Sequence, residues 1–108
     1  MSVFDQFDVL VSPTVPVSAP LLSEMTDGAS YRAANMLALR NTAIANLFGW
    51  CALTLPSGID GNGIPSGLQL IAPPMQEKRL LAMAMGVEAA VGRGPDLLGR
   101  APLLSSVT

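Results

Sequence analysis

Ala52-Leu-Thr-Leu-Pro-Ser-Gly-Ile-Asp-Gly-Asn-Gly-Ile-Pro-Ser-Gly-Leu-Gln-Leu-Ile-Ala72 decides how this 108-residue chain folds. Its first part, Ala52 to Pro56, alternates small and large side chains and stops at proline, which predicts a strand. Its last part, Gly67 to Ala72, is a short apolar run and predicts another. Between them, Ser57 to Pro65 holds three glycines and one proline in nine residues, a dense turn signal. Two short strands around so compact a loop predict a hairpin.

Working outward, Asp8-Val-Leu-Val-Ser-Pro13 is mostly apolar, β-branched and closed by proline, the pattern of a strand covered on both faces. From Pro13 to Pro20 three prolines remove ladder donors, so an irregular extended segment is expected there. Leu21 to Gly28 reads as loop. Ser30 can cap a helix beginning at Tyr31, with Tyr31, Ala34, Leu37, Ile44, Leu47 and Phe48 at helical spacing. That helix either runs through Asn41-Thr42 or breaks there, and Gly49 stops it. Past Pro73-Pro74, Glu77 to Val91 sets Leu80, Ala84, Val87 and Val91 on one stripe, with Glu77 in the first turn and Gly92 and Gly94-Pro95 as terminators. The tail, residues 93–108, shows no period from Asp96 on and is expected to be docked or disordered. The expected class is therefore α/β, with about three strands and two helices in one unit over residues 1–108.

Composition narrows the function. Half of the residues are hydrophobic and 13% are charged, with a net charge of −2. Soluble domains carry about 25% charged residues, so this chain is short of groups that face water. The later strands are too apolar for solvent and two helices cover one sheet face, so the other face is expected to meet something else. A chain of this length also struggles to complete a doubly covered sheet, which predicts a part of a larger body.

The six basic residues, one Lys and five Arg, are scattered, so nucleic acid is not an expected partner. There is no His, and Cys51 stands alone, which removes the usual general base, an internal disulfide and a thiolate zinc cluster. No metal or cofactor is expected. Asn41 to Ile59 is uncharged, but its Asn, Thr, Ser and Pro residues keep it from reading as a membrane span. Met1 to Val11 lacks the basic region of a secretory signal, and a cytoplasmic location is expected.

Reactive groups are sparse. A serine hydroxyl needs a positioned base, and the single lysine, Lys78, lies in Gln76-Glu-Lys-Arg79 among charges that keep it hydrated and protonated. Ser66, in Gly63-Ile-Pro-Ser-Gly67, lacks the spacing of a nucleophile elbow and reads as a turn serine. Cys51, between Trp50 and Ala52, reads as a small hydrophobe. The eight carboxylates are dispersed, with no pair forced onto one apolar helix face. Gly61-Asn-Gly63 leads into a strand and lacks a phosphate-loop lysine. Asn41 and Asn46 lie in apolar surroundings, where an unpaired amide costs about 1–3 kcal/mol. Strand-end or loop backbone is the favoured partner, with ligand contact the alternative. For Arg40 the alternatives are a snorkelling helix residue and a clamp on a carboxylate or carbonyl.

Five segments in order and register resemble the C-terminal end of the amidase signature family. They are Asp8-Val-Leu-Val-Ser-Pro-Thr14, Leu39-Arg-Asn-Thr42 with Asn46-Leu-Phe-Gly49, Ala52-Leu-Thr-Leu-Pro-Ser-Gly58, Gly63-Ile-Pro-Ser-Gly-Leu-Gln-Leu-Ile71, and the helix through Leu80-Leu81 and Glu88. Cys51 departs from the proline of many relatives, though a Cys-Ala pair also resembles bacterial members.

The resemblance implies a large α/β domain on a mixed sheet between helices, which hydrolyses or transfers the nitrogen of carboxamides. It places the catalytic serine, second serine and lysine in an earlier part of the chain that includes a Gly/Ser-rich signature segment, which nothing here matches. This chain is thus expected to supply strands and a pocket wall rather than catalysis. By the same resemblance Thr14, Arg40 and Asn41 are wall residues beside a small amide substrate. The expected partner is the remainder of the amidase domain, or another copy of the chain, through the apolar sheet face. A self-association or protein-interaction module without catalysis is the alternative.

Overall fold

The computed structural model describes residues Ser2 to Gly99, and the hairpin is its centre. Strand β2 spans Cys51–Ile59 and β3 spans Pro65–Ala72, antiparallel, with Cys51 opposite Ala72 and Ile59 opposite Pro65. Ser57-Gly-Ile59, expected as loop, continues β2. A bulge between Pro56 and Gly58 takes up the extra residue, and Gly58 supplies the positive φ of 145° that bulky side chains avoid. The turn contracts to Asp60–Ile64. There one Asp60 carboxylate oxygen accepts the Asn62 and Ile64 N–H groups at 2.8 and 3.0 Å. The Ile64 N–H chiefly holds the Asp60 carboxyl below its ordinary pKa.

Strand β1, Leu10–Pro13, adds antiparallel to the other side of β3, giving the order β1-β3-β2. Proline placement fits that order. Pro13 and Pro56 lie on edge strands and Pro65 opens β3, while the central strand is free of proline from Gly67 to Ala72. The expectation that β1 is covered on both faces is corrected, because Val11 is 56% exposed. Helix α3, Glu77–Val91, packs chiefly across β2 and β3 and leaves β1 marginal.

Side-chain alternation assigns the faces. Leu68, Leu70 and Ala72 of β3, with Cys51, Leu53 and Leu55 of β2, meet α3 through Leu80, Met83 and Val87. Leu70 is fully buried, and that burial contributes about 1.5–3 kcal/mol. Val91 leaves the expected stripe and is exposed. An ion pair between Arg79 Nη2 and Asp8 Oδ1, 2.8 Å and well exposed, links the start of α3 to the approach to β1.

The long helix expected from Tyr31 is two helices, α1 at Gly28–Leu39 and α2 at Thr42–Phe48. Its start is also corrected: Asp27, not Ser30, is the N-cap. The Asp27 carboxylate accepts the Ser30 N–H at 2.8 Å and the Ser30 hydroxyl accepts the Asp27 N–H at 3.1 Å, a reciprocal box that needs both residues. The Ser30 N–H also lowers the Asp27 pKa. The apolar stripe of these helices is mostly uncovered. Ile44, Leu47 and Phe48 are 47%, 80% and 58% exposed, and Ala45 is the residue that α2 buries.

Between the elements, Leu22–Glu24 is a short 3-10 turn within the expected loop, and Val3–Asp5 is another. Phe4 meets Trp50 edge-on, ring centroids 5.0 Å apart, while Phe48 stacks on the same indole at 4.7 Å. A fourth helix, α4 at Gly94–Leu98, packs on β2 where no element was expected. Pro95 starts it rather than ending its predecessor, since its missing N–H is harmless in a first turn. The tail expectation beyond Gly99 lies outside the described residues. No helix among the described residues is long and apolar enough to cross a membrane.

Candidate functional site

Opposite α3, the sheet carries a polar row. Ser12, Gln69 and Thr54 are aligned across β1, β3 and β2, and Thr14, just past β1, continues the pairing with its N–H donating to the Gly67 carbonyl at 3.0 Å. The Thr14 and Thr54 hydroxyls hydrogen-bond to each other across Gly67. A Cβ on Gly67 would lie 2.7 Å from Thr54 Oγ1 and 2.9 Å from Thr14 Oγ1, so the glycine lets the two threonines close.

Gln69 is 3% exposed and holds the α1–α2 junction to this face. Its Nε2 donates to the Asn41 carbonyl at 3.2 Å and to Ser12 Oγ at 3.1 Å. A backbone carbonyl only accepts, so the contact with Asn41 fixes which end of the carboxamide is nitrogen. Asn41 Nδ2 donates in turn to the Pro13 carbonyl at 2.9 Å. The helix break and the end of β1 are thereby tied together, and Asn41 finds the strand-end backbone partner favoured for it.

Beneath the junction lies a recess of about 280 Å³ lined by Thr14, Thr42, Ala45, Asn46, Trp50, Ala52, Leu53, Thr54 and Gln69. None of these side chains is charged. Two hollows of about 490 Å³ along the Val17–Pro20 segment are larger, but the smaller one is the one bordered by Thr14, Thr54 and Gln69 of the polar row. Of the three residues expected as pocket wall, Thr14 lines the recess and Asn41 braces it from behind. Arg40 is exposed, its Nε 3.5 Å from Asn41 Oδ1. Asn46 stays exposed at the recess rather than finding a buried partner.

Sequence reasoning missed Gln69 and Thr54. The available signal was one long polar side chain inside the run Gly67 to Ala72, the strand whose interior has least access to water. Elsewhere the reactive groups stand apart. Lys78 is exposed on α3, the Ser66 hydroxyl lies 3.2 Å from Ser57 Oγ and 3.3 Å from the Gly58 carbonyl, and half-buried Cys51 donates to the Pro73 carbonyl at 3.1 Å. Among the described residues, no three His, Cys, Asp or Glu side chains gather as metal ligands.

A family model described as Amidase matches residues 1–81. The chain is similar to 2-amino-5-chloromuconic acid deaminase of Comamonas testosteroni, 56% identical over 96 residues, covering 89% of this chain and 21% of that protein. It is also similar to a glutamyl-tRNA(Gln) amidotransferase polypeptide of Synechococcus sp. strain RCC307, 43% identical over 81% of this chain and 17% of that protein. Fatty acid amide hydrolase of Medicago truncatula is 35% identical over 85% of this chain and 16% of that protein. The chain spans about a fifth of the length of the curated relatives it matches.

Proposed function

We propose that this chain, which belongs to the amidase family, is the C-terminal portion of a hydrolase acting on the carbon–nitrogen bond of carboxamides. It contributes sheet and pocket wall, with Thr14, Arg40 and Asn41 on the substrate side, while the reacting groups come from the remainder of the domain. One observation carries this reading: the chain contains no histidine, and its single lysine sits in water on α3 with no serine among the described residues poised against it. An attacking hydroxyl needs a positioned base within hydrogen-bond reach, and among the described residues no serine or threonine hydroxyl is hydrogen-bonded to a lysine or a carboxylate across the fold. Similarity to proteins named for deamination and for amide hydrolysis supports the reaction class.

The exposed apolar side chains support the partner. Met36, Leu47, Phe48, Leu81 and Met85 are 74%, 80%, 58%, 60% and 72% exposed, a pattern expected of surfaces that another part of a larger domain covers. The test supplies the region that precedes the matched segment in the Comamonas relative, as a separate polypeptide, and measures ammonia release from simple aliphatic amides. The pair should release ammonia and the 108-residue chain alone should not. Hydrolysis by the chain alone, abolished by Lys78→Ala, would overturn the reading. A discrete, stable oligomer on size-exclusion chromatography, with no activity from the pair, would favour the self-association module instead.

A further inference from the structure

Strand β2 has a second side, and the pairing of Thr14 shows what it offers. Thr14 continues β1 opposite Gly67 and donates its N–H to the Gly67 carbonyl at 3.0 Å. Main-chain groups of successive strand residues point to opposite sides, so Gly67, Gln69 and Ile71 address β1, while Leu68, Leu70 and Ala72 address β2. Their partners there are Leu55, Leu53 and Cys51. Ala52 and Thr54 therefore turn both N–H and C=O away from β3. Pro56 holds the next outward position, where its missing N–H breaks no bond of the hairpin.

No turn, loop or cap hydrogen bond among the described residues reaches the Ala52 or Thr54 main chain, and both residues are exposed. Helix α4 comes against Pro56 instead, where a Cβ on its Gly94 would lie 3.3 Å from the proline ring. The same parity leaves β1 a single outward N–H, that of Val11, ahead of Pro13. The β2 edge is thus the better template for a further extended strand, which its main chain would bind and its neighbours would not obstruct.

A second copy of the chain fits this edge poorly. Laid antiparallel with Ala52 opposite Thr54 of the copy, it sets Pro56 opposite Trp50, whose N–H is already given to the Ala45 carbonyl at 2.9 Å. Two-fold symmetry repeats that gap at both ends, whereas a strand of different sequence meets it once. The chain also spans about a fifth of the length of its curated relatives, so most of such a protein lies outside the matched segment.

From these observations we infer that the outer edge of β2 receives an extended strand of the remainder of the amidase domain, bonded through the main chain of Ala52 and Thr54. The inference rests on the proposed function for the identity of that strand.

Hydrogen exchange followed by NMR reads the edge residue by residue. In the 108-residue chain alone, the Leu53 and Leu55 amides should exchange slowly and those of Ala52 and Thr54 freely. With the region that precedes the matched segment in the Comamonas relative added as a separate polypeptide, Ala52 and Thr54 should slow about tenfold or more. Ala52→Pro, which copies the arrangement at Pro56, should keep Leu53 and Leu55 slow and weaken association about threefold or more. Should that variant fail to fold, exchange in the unaltered chain still decides. Free exchange at Ala52 and Thr54 in the complex, or no association of the two polypeptides, overturns the inference. So does slow exchange at both in a dimer of the chain alone, which gives the edge to a second copy. Ammonia release by the pair with both amides still free refutes this edge alone. Protected amides without ammonia release refute the hydrolase reading alone.

Discussion

Gly67→Ala tests how the polar row closes. The added methyl carbon would sit 2.7 Å from Thr54 Oγ1 and 2.9 Å from Thr14 Oγ1, closer than real Cβ atoms approach such neighbours, and 3.4 Å from Thr14 Cβ. Relief requires parting the two hydroxyls or moving β1 from β3, and forced overpacking of this kind costs about 1–3 kcal/mol. Replacing glycine also restricts the unfolded chain, an offset of about 0.4–1 kcal/mol. The net destabilisation is then about 1–2 kcal/mol. With a urea slope near 1 kcal/mol per molar for a chain of this size, the midpoint should fall by about 1–2 M. Thr54→Ala removes the nearest obstructing atom, so Gly67→Ala should cost less than half as much in that background, measured as a double-mutant cycle from urea midpoints. A wild-type midpoint for Gly67→Ala, or the same penalty in both backgrounds, would refute the account of why a glycine stands there.

Leu70→Ala should lower stability by about 2–5 kcal/mol, because its side chain is fully buried between β-sheet neighbours and α3, whereas Leu47→Ala, at an 80% exposed leucine, should stay within about 0.5 kcal/mol; urea midpoints of the two variants check the contrast. For acid, the folded-state pKa values of Asp27 and Asp60 both lie below the usual 3.8, so the unfolded chain takes up these protons first. Their stabilisation is therefore complete above that value and disappears as pH falls through the lower folded values, so a Tm series in acid should be flatter for Asp60→Asn than for the parent, and an unchanged slope would refute the role given to the turn carboxylate.

The hairpin was legible because its cues are local. Glycine density marked the turn between Ala52 and Ala72, and the apolar run from Gly67 marked the central strand. What escaped depends on partners. Ser57 to Ile59 looks like loop until β3 lies alongside and Gly58 absorbs the bulge. Ser30 looks like a cap until Asp27, three residues earlier, is seen to share the box. Pro95 stops one helix or starts another, depending on whether β2 is near enough to pack on the turn that follows. At the recess, Thr14 and Asn41 carried signals through their positions beside a strand end and a helix break. Gln69 mattered only once the register set it between Ser12 and Thr54 and the helix break descended on it.

Strand β1 forms one margin of the sheet, and the rule of alternation has a consequence for crowded solutions. Only Leu10, Val11 and Ser12 bring amide protons to it, Pro13 brings none, and successive amides point to opposite sides. A foreign strand laid along that margin would find one or two donors before the ladder ran out. Lateral templating along β1 is starved at its first rung, even in a chain so rich in oily side chains.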